Sequence, residues 1–402
     1  MAKKFTIKNQ LDLLHKCEET GQSLSSALQE KHMTYDNLMY QVYSNEALQL
    51  PDIERIEDVV RFFDNIPAVS FFAGAGGLDI GFSYAGFNTI ASIEVVELFC
   101  NTLRHNNPNK IVIGPPQYSG DVKNHEEIAN VLRNVVGIQQ GFHGIFHGGP
   151  PCQPFSIAAN QRFNKSGENF KRKGFEDNEK GNLLFDYLWY IEEFLPSGFL
   201  IENVEGLLEL DDNGRIRHAL NHLQELGYSI SEPTIVNATY YGVPQNRKRC
   251  IILGAMGNIA PVLPIPNATP TACGRVFERP LEGVLNHVTR EHSAASVERY
   301  MRLEYGCRDK LGRVDRLDPS KPSKTVIAGG TKGGGRSHLH PYYPRTLSVR
   351  ECARLQTFPD DYEFTGSVAR QFTQVGNAVP PLLAYKLALA LKQALLLNQE
   401  QL

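Results

Sequence analysis

Between Pro67 and Leu253 the chain repeats one pattern, a short apolar run followed by a longer stretch with apolar residues at helical spacing. Ala68–Phe72, Thr89–Ile93, Ile111–Ile113, Gly144–His147, Phe199–Ile201, Ile235–Ala238 and Cys250–Leu253 read as strands. Helix-like stretches lie between many of them, for instance Glu126–Val136, Leu183–Phe194 and Ile216–Leu226. Alternating strands and helices predict a doubly wound α/β sheet.

The flanks have a different texture. Residues 1–66 place Leu11, Leu13, Leu14, Leu24, Leu28, Leu38 and Val42 near helical spacings and carry 7 basic against 11 acidic residues. A small DNA-binding helix-turn-helix and a helical cap on the main domain both fit; an acidic segment makes a poor phosphate binder and favours the cap. From Pro261 to Arg345, 14 Lys and Arg stand against 8 Asp and Glu, net +6 in a chain of net charge -3. A basic, glycine-rich region in an otherwise acidic chain suggests a local polyanion contact, although a solvated loop region has the same composition. After Arg345, helical texture returns through Leu395. The expected division is therefore 1–66, 67–260, 261–345 and 346–402.

At 402 residues, 42% hydrophobic and 21% charged, the chain reads as globular, with two to three domains expected at ~150 residues each. Apolar runs such as Ile251–Leu253 and Leu387–Leu391 are far short of the ~18 residues a membrane span needs. Met1-Ala2-Lys3-Lys4-Phe5 leads into polar residues without a signal-peptide core, so secretion is not expected. Seven cysteines without a Cys-x-x-Cys pair predict neither a disulfide framework nor a zinc ribbon; a reducing cytoplasm is expected, and no metal.

Phe72-Ala73-Gly74-Ala75-Gly76-Gly77-Leu78 follows a strand and precedes a helical stretch, where glycines allow a tight turn and close approach to a ligand. Asp79 stands where a third glycine of a dinucleotide fingerprint would be, and no Gly-Lys-Ser/Thr follows. Glu94 ends the next strand, 20 residues after Gly74, the place for a carboxylate gripping ribose hydroxyls. Asp121, in Gly120-Asp121-Val122, could accept a bond from an adenine amino group. A ribose and adenine site without a pyrophosphate loop suits S-adenosylmethionine better than NAD; a plain strand-turn-helix carries the same glycines.

His147-Gly148-Gly149-Pro150-Pro151-Cys152-Gln153-Pro154-Phe155-Ser156 presents a cysteine at a strand end, where it can be a low-pKa nucleophile or simply a small buried hydrophobe. Phe199-Leu200-Ile201 runs into Glu202-Asn203-Val204. In a parallel sheet the two strand ends share an edge, so Cys152 and Glu202 can converge. Arg247 and Arg249, two apart in Gln245-Asn246-Arg247-Lys248-Arg249, would point the same way from an extended segment, or form a solvated basic stretch.

In this order the motifs resemble the DNA (cytosine-5) methyltransferase family, bacterial restriction-modification type, over about Ala68 to Leu395. Pro151-Cys152-Gln153 is similar to its nucleophile motif, Glu202-Asn203-Val204 to its carboxylate motif, and Gln245 to Arg249 to Gln-x-Arg-x-Arg. Arg350-Glu351-Cys352-Ala353-Arg354-Leu355-Gln356 and Gly376-Asn377-Ala378-Val379-Pro380 match the closing pair. Departures are Ser70 for a common Asp, Pro150 for a common Phe, and Val95 for a frequent aromatic. None removes a catalytic group.

The resemblance implies a Rossmann-like methyltransferase domain with a smaller, irregular target recognition domain, acting on duplex DNA as a cytoplasmic monomer. The Cys152 thiolate would add to C6 of a flipped cytosine, making C5 nucleophilic toward the methyl of S-adenosylmethionine. Glu202 would hold N3 and the exocyclic amine, and Arg249 with Arg247 would bond O2. Phe72, Ala73, Gly74, Ala75, Gly76, Gly77, Leu78, Glu94, Val95, Asp121, Val122, Pro151, Leu183, Asn377 and Ala378 would line the cofactor pocket. Gln153 to Lys180 looks like the family's catalytic loop, closing over the base; Ser156, Arg162 and Lys165 there would meet phosphates. Residues 261–345 would read the target, with Thr325, Lys332 and Arg336 on DNA. A restriction nuclease is an implied functional partner. A tRNA methyltransferase of the same fold lacks support, since no Cys-Phe-Thr tripeptide is present. Intact Cys152 and Glu202 argue against a catalytically silent DNA-binding regulator.

Overall fold

The computed structural model describes residues 5–42, 49–151, 183–207, 214–328 and 338–401. It divides into two compact units, one of residues 1–54, 244–246 and 269–377, the other of residues 55–243, 247–268 and 378–402.

The second unit is the α/β domain. Its strands are β1 (Phe62–Phe71), β2 (Ala85–Ile93), β3 (Ile111–Ile113), β4 (Ile145–Gly148), β5 (Gly198–Val204), β6 (Tyr228–Ile230), β7 (Thr234–Asn237) and β8 (Lys248–Met256). They form one sheet in the order β3-β2-β1-β4-β5-β8-β6, with β7 also on β8. The first five strands are parallel neighbours. β8 runs antiparallel to β5, β6 and β7. The expected doubly wound sheet is present, and it is mixed. Tyr228–Ile230 is a strand that the pattern reading misses, because three residues with a central Ser carry too little periodicity.

Period-two side chains divide the strands between two cores. Val69, Phe71, Phe146, Phe199 and Ile201 pack on one face against Ile128, Leu184, Tyr187, Ile191 and Leu220 of the helices His125–Val131, Leu183–Phe194 and Arg215–Glu225. Ala68, Ile145, Leu200 and Leu253 pack on the other against Leu78 and Phe82 of helix Gly77–Tyr84 and Leu383, Leu387 and Leu391 of helix Pro381–Gln399. Proline at the start of that last helix fits a position whose N–H has no intrahelical partner. The chain's return to this domain thus begins at Ala378. Residues 346–377, grouped with the return at the sequence level, cluster with the first unit.

Among the described residues, the regular sheet of the first unit is a two-stranded pair of Arg308–Asp309 and Val314–Asp315. Helices Ile7–Thr20 and Leu24–Gln29 bury Leu13, Leu14, Leu24 and Leu28 against Ala294, Val297 and Met301 of helix Ala294–Met301. The apolar stripe of these helices is thus used within the first unit, whereas Ile56, later in the same N-terminal segment, is buried in the second core of the α/β domain.

Gly81 sits where helix Gly77–Tyr84 meets helix Pro381–Gln399. A Cβ there would lie 2.4 Å from the Pro381 carbonyl and 2.5 Å from the Ala384 Cβ. Gly81→Ala is expected to cost about 1–3 kcal/mol by overpacking. A lower urea midpoint with an unchanged slope would show it; an unchanged midpoint would mean the helices separate freely.

Candidate active site

β4 and β5 leave the sheet side by side, with Gly148 opposite Ile201. The next residue, Gly149, lies against the carboxylate of Glu202: a Cβ on Gly149 would come within 2.8 Å of Oε2. Only glycine leaves that oxygen accessible. Asn203 Nδ2 donates to the Pro150 carbonyl at 3.3 Å, tying the segment after β4 to the end of β5.

β8 enters from the opposite direction, with Arg249 opposite Val204. The diagonal across an antiparallel pair carries its side chain to Glu202, and Arg249 Nε meets Oε1 at 2.6 Å. Both side chains are largely buried, where either charge alone would be costly. Arg247, two residues earlier, is buried. Burial and neighbouring Arg249 work against its charge, while Glu202 supports it. Lys248 between them is exposed, so both arginines face the Glu202 side, as the two-residue spacing predicts. The direct Arg249–Glu202 pair has no local sequence signal, since it depends on the β5–β8 register.

A second cluster forms at the ends of β1, β2 and β3. Phe72 takes a left-handed backbone (φ 52°), followed by Gly74 (55°) and Gly76 (77°), and the turn opens helix Gly77–Tyr84. Glu94 is buried at the end of β2. Its Oε2 accepts the Gly74 N–H and Oε1 the Val96 N–H, both at 2.8 Å. Burial pushes its carboxyl up against these bonds. Each oxygen keeps a further lone pair for a ligand hydroxyl. A Cβ on Gly120 would lie 2.1 Å from the Glu94 carbonyl, so the turn carrying Asp121 and Val122 rests directly on Glu94. Val95 is exposed beside it, an apolar surface next to a carboxylate and a strained turn.

Tyr190 donates to the Val122 carbonyl at 2.9 Å, and His125 Nε2 lies 2.9 Å from Asp186 Oδ1, so helix Leu183–Phe194 holds the Asp121 turn in place. Leu183 begins that helix. Ala378 and Val379 come back to Gly77, where a Cβ would lie 2.1 Å from the Val379 carbonyl. These residues fit a nucleoside carrying a short polar tail, since two acids, Glu94 and Asp121, and an apolar face stand at adjoining strand ends. Asn377 ends helix Val368–Asn377 in the first unit.

Asp79 is not part of that cradle. It is buried in the helix start, ion-paired with Lys110 and accepting from Ser92 Oγ at 2.8 Å. His147 lies close by, stacked on Phe82 at 4.4 Å. Its ring nitrogens have no hydrogen-bond partner among the described residues. Sequence reading treated Asp79 only as the absence of a glycine.

Cys152, Ser156, Arg162, Lys165, Lys332 and Arg336 lie outside the described residues; Pro151, next to Cys152 in the chain, is exposed. Thr325 lies in the first unit, and its hydroxyl donates to the Asn246 carbonyl at 2.5 Å. Gln245 there is buried, receiving the Val326 N–H at 2.8 Å and donating to Gln356 at 3.0 Å. Within the Gln-x-Arg-x-Arg stretch, Gln245 thus belongs to the first unit and Arg247 and Arg249 to the second.

The C-5 cytosine-specific DNA methylase family profile matches residues 66–393, and the chain belongs to that family. It is a DNA cytosine-5 methyltransferase with a Rossmann-like methyltransferase fold. It is 33% identical over 351 residues to Type II methyltransferase M.PspPI of Psychrobacter sp. (strain TA137), covering 80% of this chain and 78% of the relative. It is 28% identical over 422 residues to Type II methyltransferase M.Eco47II of Escherichia coli, covering 96% and 94%. A prophage-encoded protein of E. coli described as a DNA modification methyltransferase shares the fold at TM-score 0.65 and 24% identity, over 82% of this chain and 99% of that one.

Burial holds the His147 imidazole down to about 4. In the unfolded chain it titrates near 6.5, so the unfolded state takes up the proton first. The stability that neutral His147 contributes is complete above pH ~6.5 and is lost as pH falls toward ~4. That loss is on the order of 3 kcal/mol. His147→Leu should flatten this part of the urea stability profile between pH 7 and 4.5, leaving the slope due to buried His292 and His340. An identical profile in the variant would assign the acid sensitivity elsewhere.

Proposed function

We propose that this enzyme methylates a cytosine flipped out of a specific duplex DNA sequence, through a covalent bond from Cys152 to C6. The observation that carries this reading is the Arg249–Glu202 pair beside Gly149. A carboxylate at hydrogen-bond range of a buried arginine, with glycine leaving one oxygen accessible, can grip the amidine edge of a cytosine. Glu202 would hold N3 and the exocyclic amine, and Arg249 with Arg247 would bond O2 and stabilise the ring as charge moves onto it. Cys152 follows the exposed Pro151 and would supply the thiolate. Addition at C6 makes C5 a nucleophile; loss of the C5 proton and elimination of the thiolate restore the aromatic ring. Because C5 and C6 lie within the stack, the base must leave the duplex.

S-adenosylmethionine, when bound, supplies an electrophilic methyl group. Glu94 would take its ribose hydroxyls, Asp121 its adenine amino group, Val95 and Val122 the adenine faces, and the Phe72–Leu78 turn with Ala378 its amino-acid end. Asn377, Pro151 and Leu183 complete that assignment. The first unit, which contains most of the basic stretch 261–345, would read the target sequence. Ser156, Arg162, Lys165, Thr325, Lys332 and Arg336 are assigned to DNA. The Type II relatives suggest the modification half of a restriction-modification system, working as a cytoplasmic monomer with a partner nuclease.

Expression in a methylation-free host, followed by base-resolution mapping of 5-methylcytosine, tests the reading. Methylation at one short recurring motif is expected. A clean genome beside folded, cofactor-binding protein would overturn the assignment of sequence-specific DNA as substrate. Cys152→Ala should abolish transfer while retaining DNA binding, and Glu202→Gln should lower turnover ~10²–10⁴-fold. Undiminished transfer by Cys152→Ala would sink the covalent route.

A further inference from the structure

The family profile begins at residue 66, so the N-terminal segment lies outside what it matches. Within the first unit that segment is deeply built in. Beyond the apolar seat on helix Ala294–Met301, the Gln41 N–H donates to the Met301 carbonyl at 2.9 Å. The His292 N–H donates to the Tyr35 hydroxyl at 3.0 Å.

The polar contacts are concentrated on the stretch that follows the glycine-rich run 329–336 in the chain. Arg345 is fully buried between two carboxylates, Asp36 from the N-terminal segment and Glu351 at 2.8 Å. Tyr40 donates to the His340 carbonyl at 2.8 Å, and His340 lies 3.5 Å from Glu351. Arg316, also buried, stacks 3.5 Å over the Tyr40 ring, and donates to the Val42 carbonyl at 3.2 Å and the Pro341 carbonyl at 2.8 Å. Two buried guanidinium groups thus take part of their neutralisation and packing from residues 36–42. Buried arginines that lose partners are costly, so His338–Arg345 depends on the N-terminal segment for its conformation.

We infer that residues 5–42 are a working part of the target-recognition unit, so that sequence specificity is encoded jointly by the N-terminal segment and residues 269–377. The inference rests on the reading of the first unit as the reader of DNA. It assigns this acidic segment a positioning role behind the DNA surface, in place of a phosphate-binding one.

The test is an exchange of segments in the full chain, with M.Eco47II as donor because its alignment spans 96% of this chain. Replacing 269–377 alone should give a protein that binds S-adenosylhomocysteine but methylates neither parent's motif. Replacing 1–54 and 269–377 together should transfer the donor's motif. A single exchange that transfers the motif as efficiently as the double one would overturn the inference.

Point variants provide a second readout if chimaeras fold poorly. Asp36→Ala and Tyr40→Phe should lower the preference for motif DNA over random duplex by about tenfold or more for Asp36→Ala, and less for Tyr40→Phe. S-adenosylhomocysteine affinity should stay within about twofold, and Asp36→Glu should restore part of the preference. Unchanged discrimination in Asp36→Ala would also overturn the inference. Absence of any motif preference in the unaltered enzyme would instead refute the reading of the first unit.

Discussion

The α/β domain depends on a sheet that is covered on both faces. Once Val69, Phe71, Phe146, Phe199 and Ile201 are committed to one core and Ala68, Ile145, Leu200 and Leu253 to the other, the central strands have no solvent-facing side. Polar side chains with chemistry to perform can then stand only where strands end. Glu94, Glu202 and Arg249 all occupy such positions, and the glycines at 74, 76, 120 and 149 are the turns that let neighbouring segments approach them. A one-residue slip of any central strand would exchange the two cores and carry the carboxylates away from their edge.

Charge is handled in two ways. Beside the Glu202 edge, Arg249 and Glu202 compensate one another while one carboxylate oxygen faces Gly149, an arrangement that suits a polar ligand. Beneath the glycine-rich turn, Asp79 and Lys110 neutralise each other completely out of solvent, and neutral His147 fills the remaining space. In the first unit, Arg345 and Glu351 repeat the second solution; Glu351 also accepts the Ser348 N–H at 2.7 Å and caps helix Val349–Leu355. Removing one partner of such a pair leaves the other charge buried and uncompensated, which is costly.

Most strands of the α/β domain were legible because two-sided burial produces apolar runs that need no long-range information. Tyr228–Ile230 was not, being too short to show a period. Gly-Gly turns and acids at strand ends were legible for the same local reason. The pairing of Arg249 with Glu202 was not, because the two residues are 47 positions apart and meet only through the antiparallel register of β8 on β5. The burial of Asp79 was not legible either, because its partner Lys110 lies 31 positions further on, just before β3.

The sequence by itself determined the alternating α/β architecture and the identity of the polar residues at its strand ends, since both follow from local periodicity and from the cost of burying polar groups. It also carried the apolar stripe of the N-terminal helices. Where that stripe would dock was decided only in the tertiary structure. Leu13, Leu14, Leu24 and Leu28 require an apolar partner, but hydrophobic burial is non-directional and does not name one. The choice of helix Ala294–Met301 is fixed by directional contacts, the Gln41 N–H on the Met301 carbonyl and the His292 N–H on the Tyr35 hydroxyl, between residues some 260 positions apart.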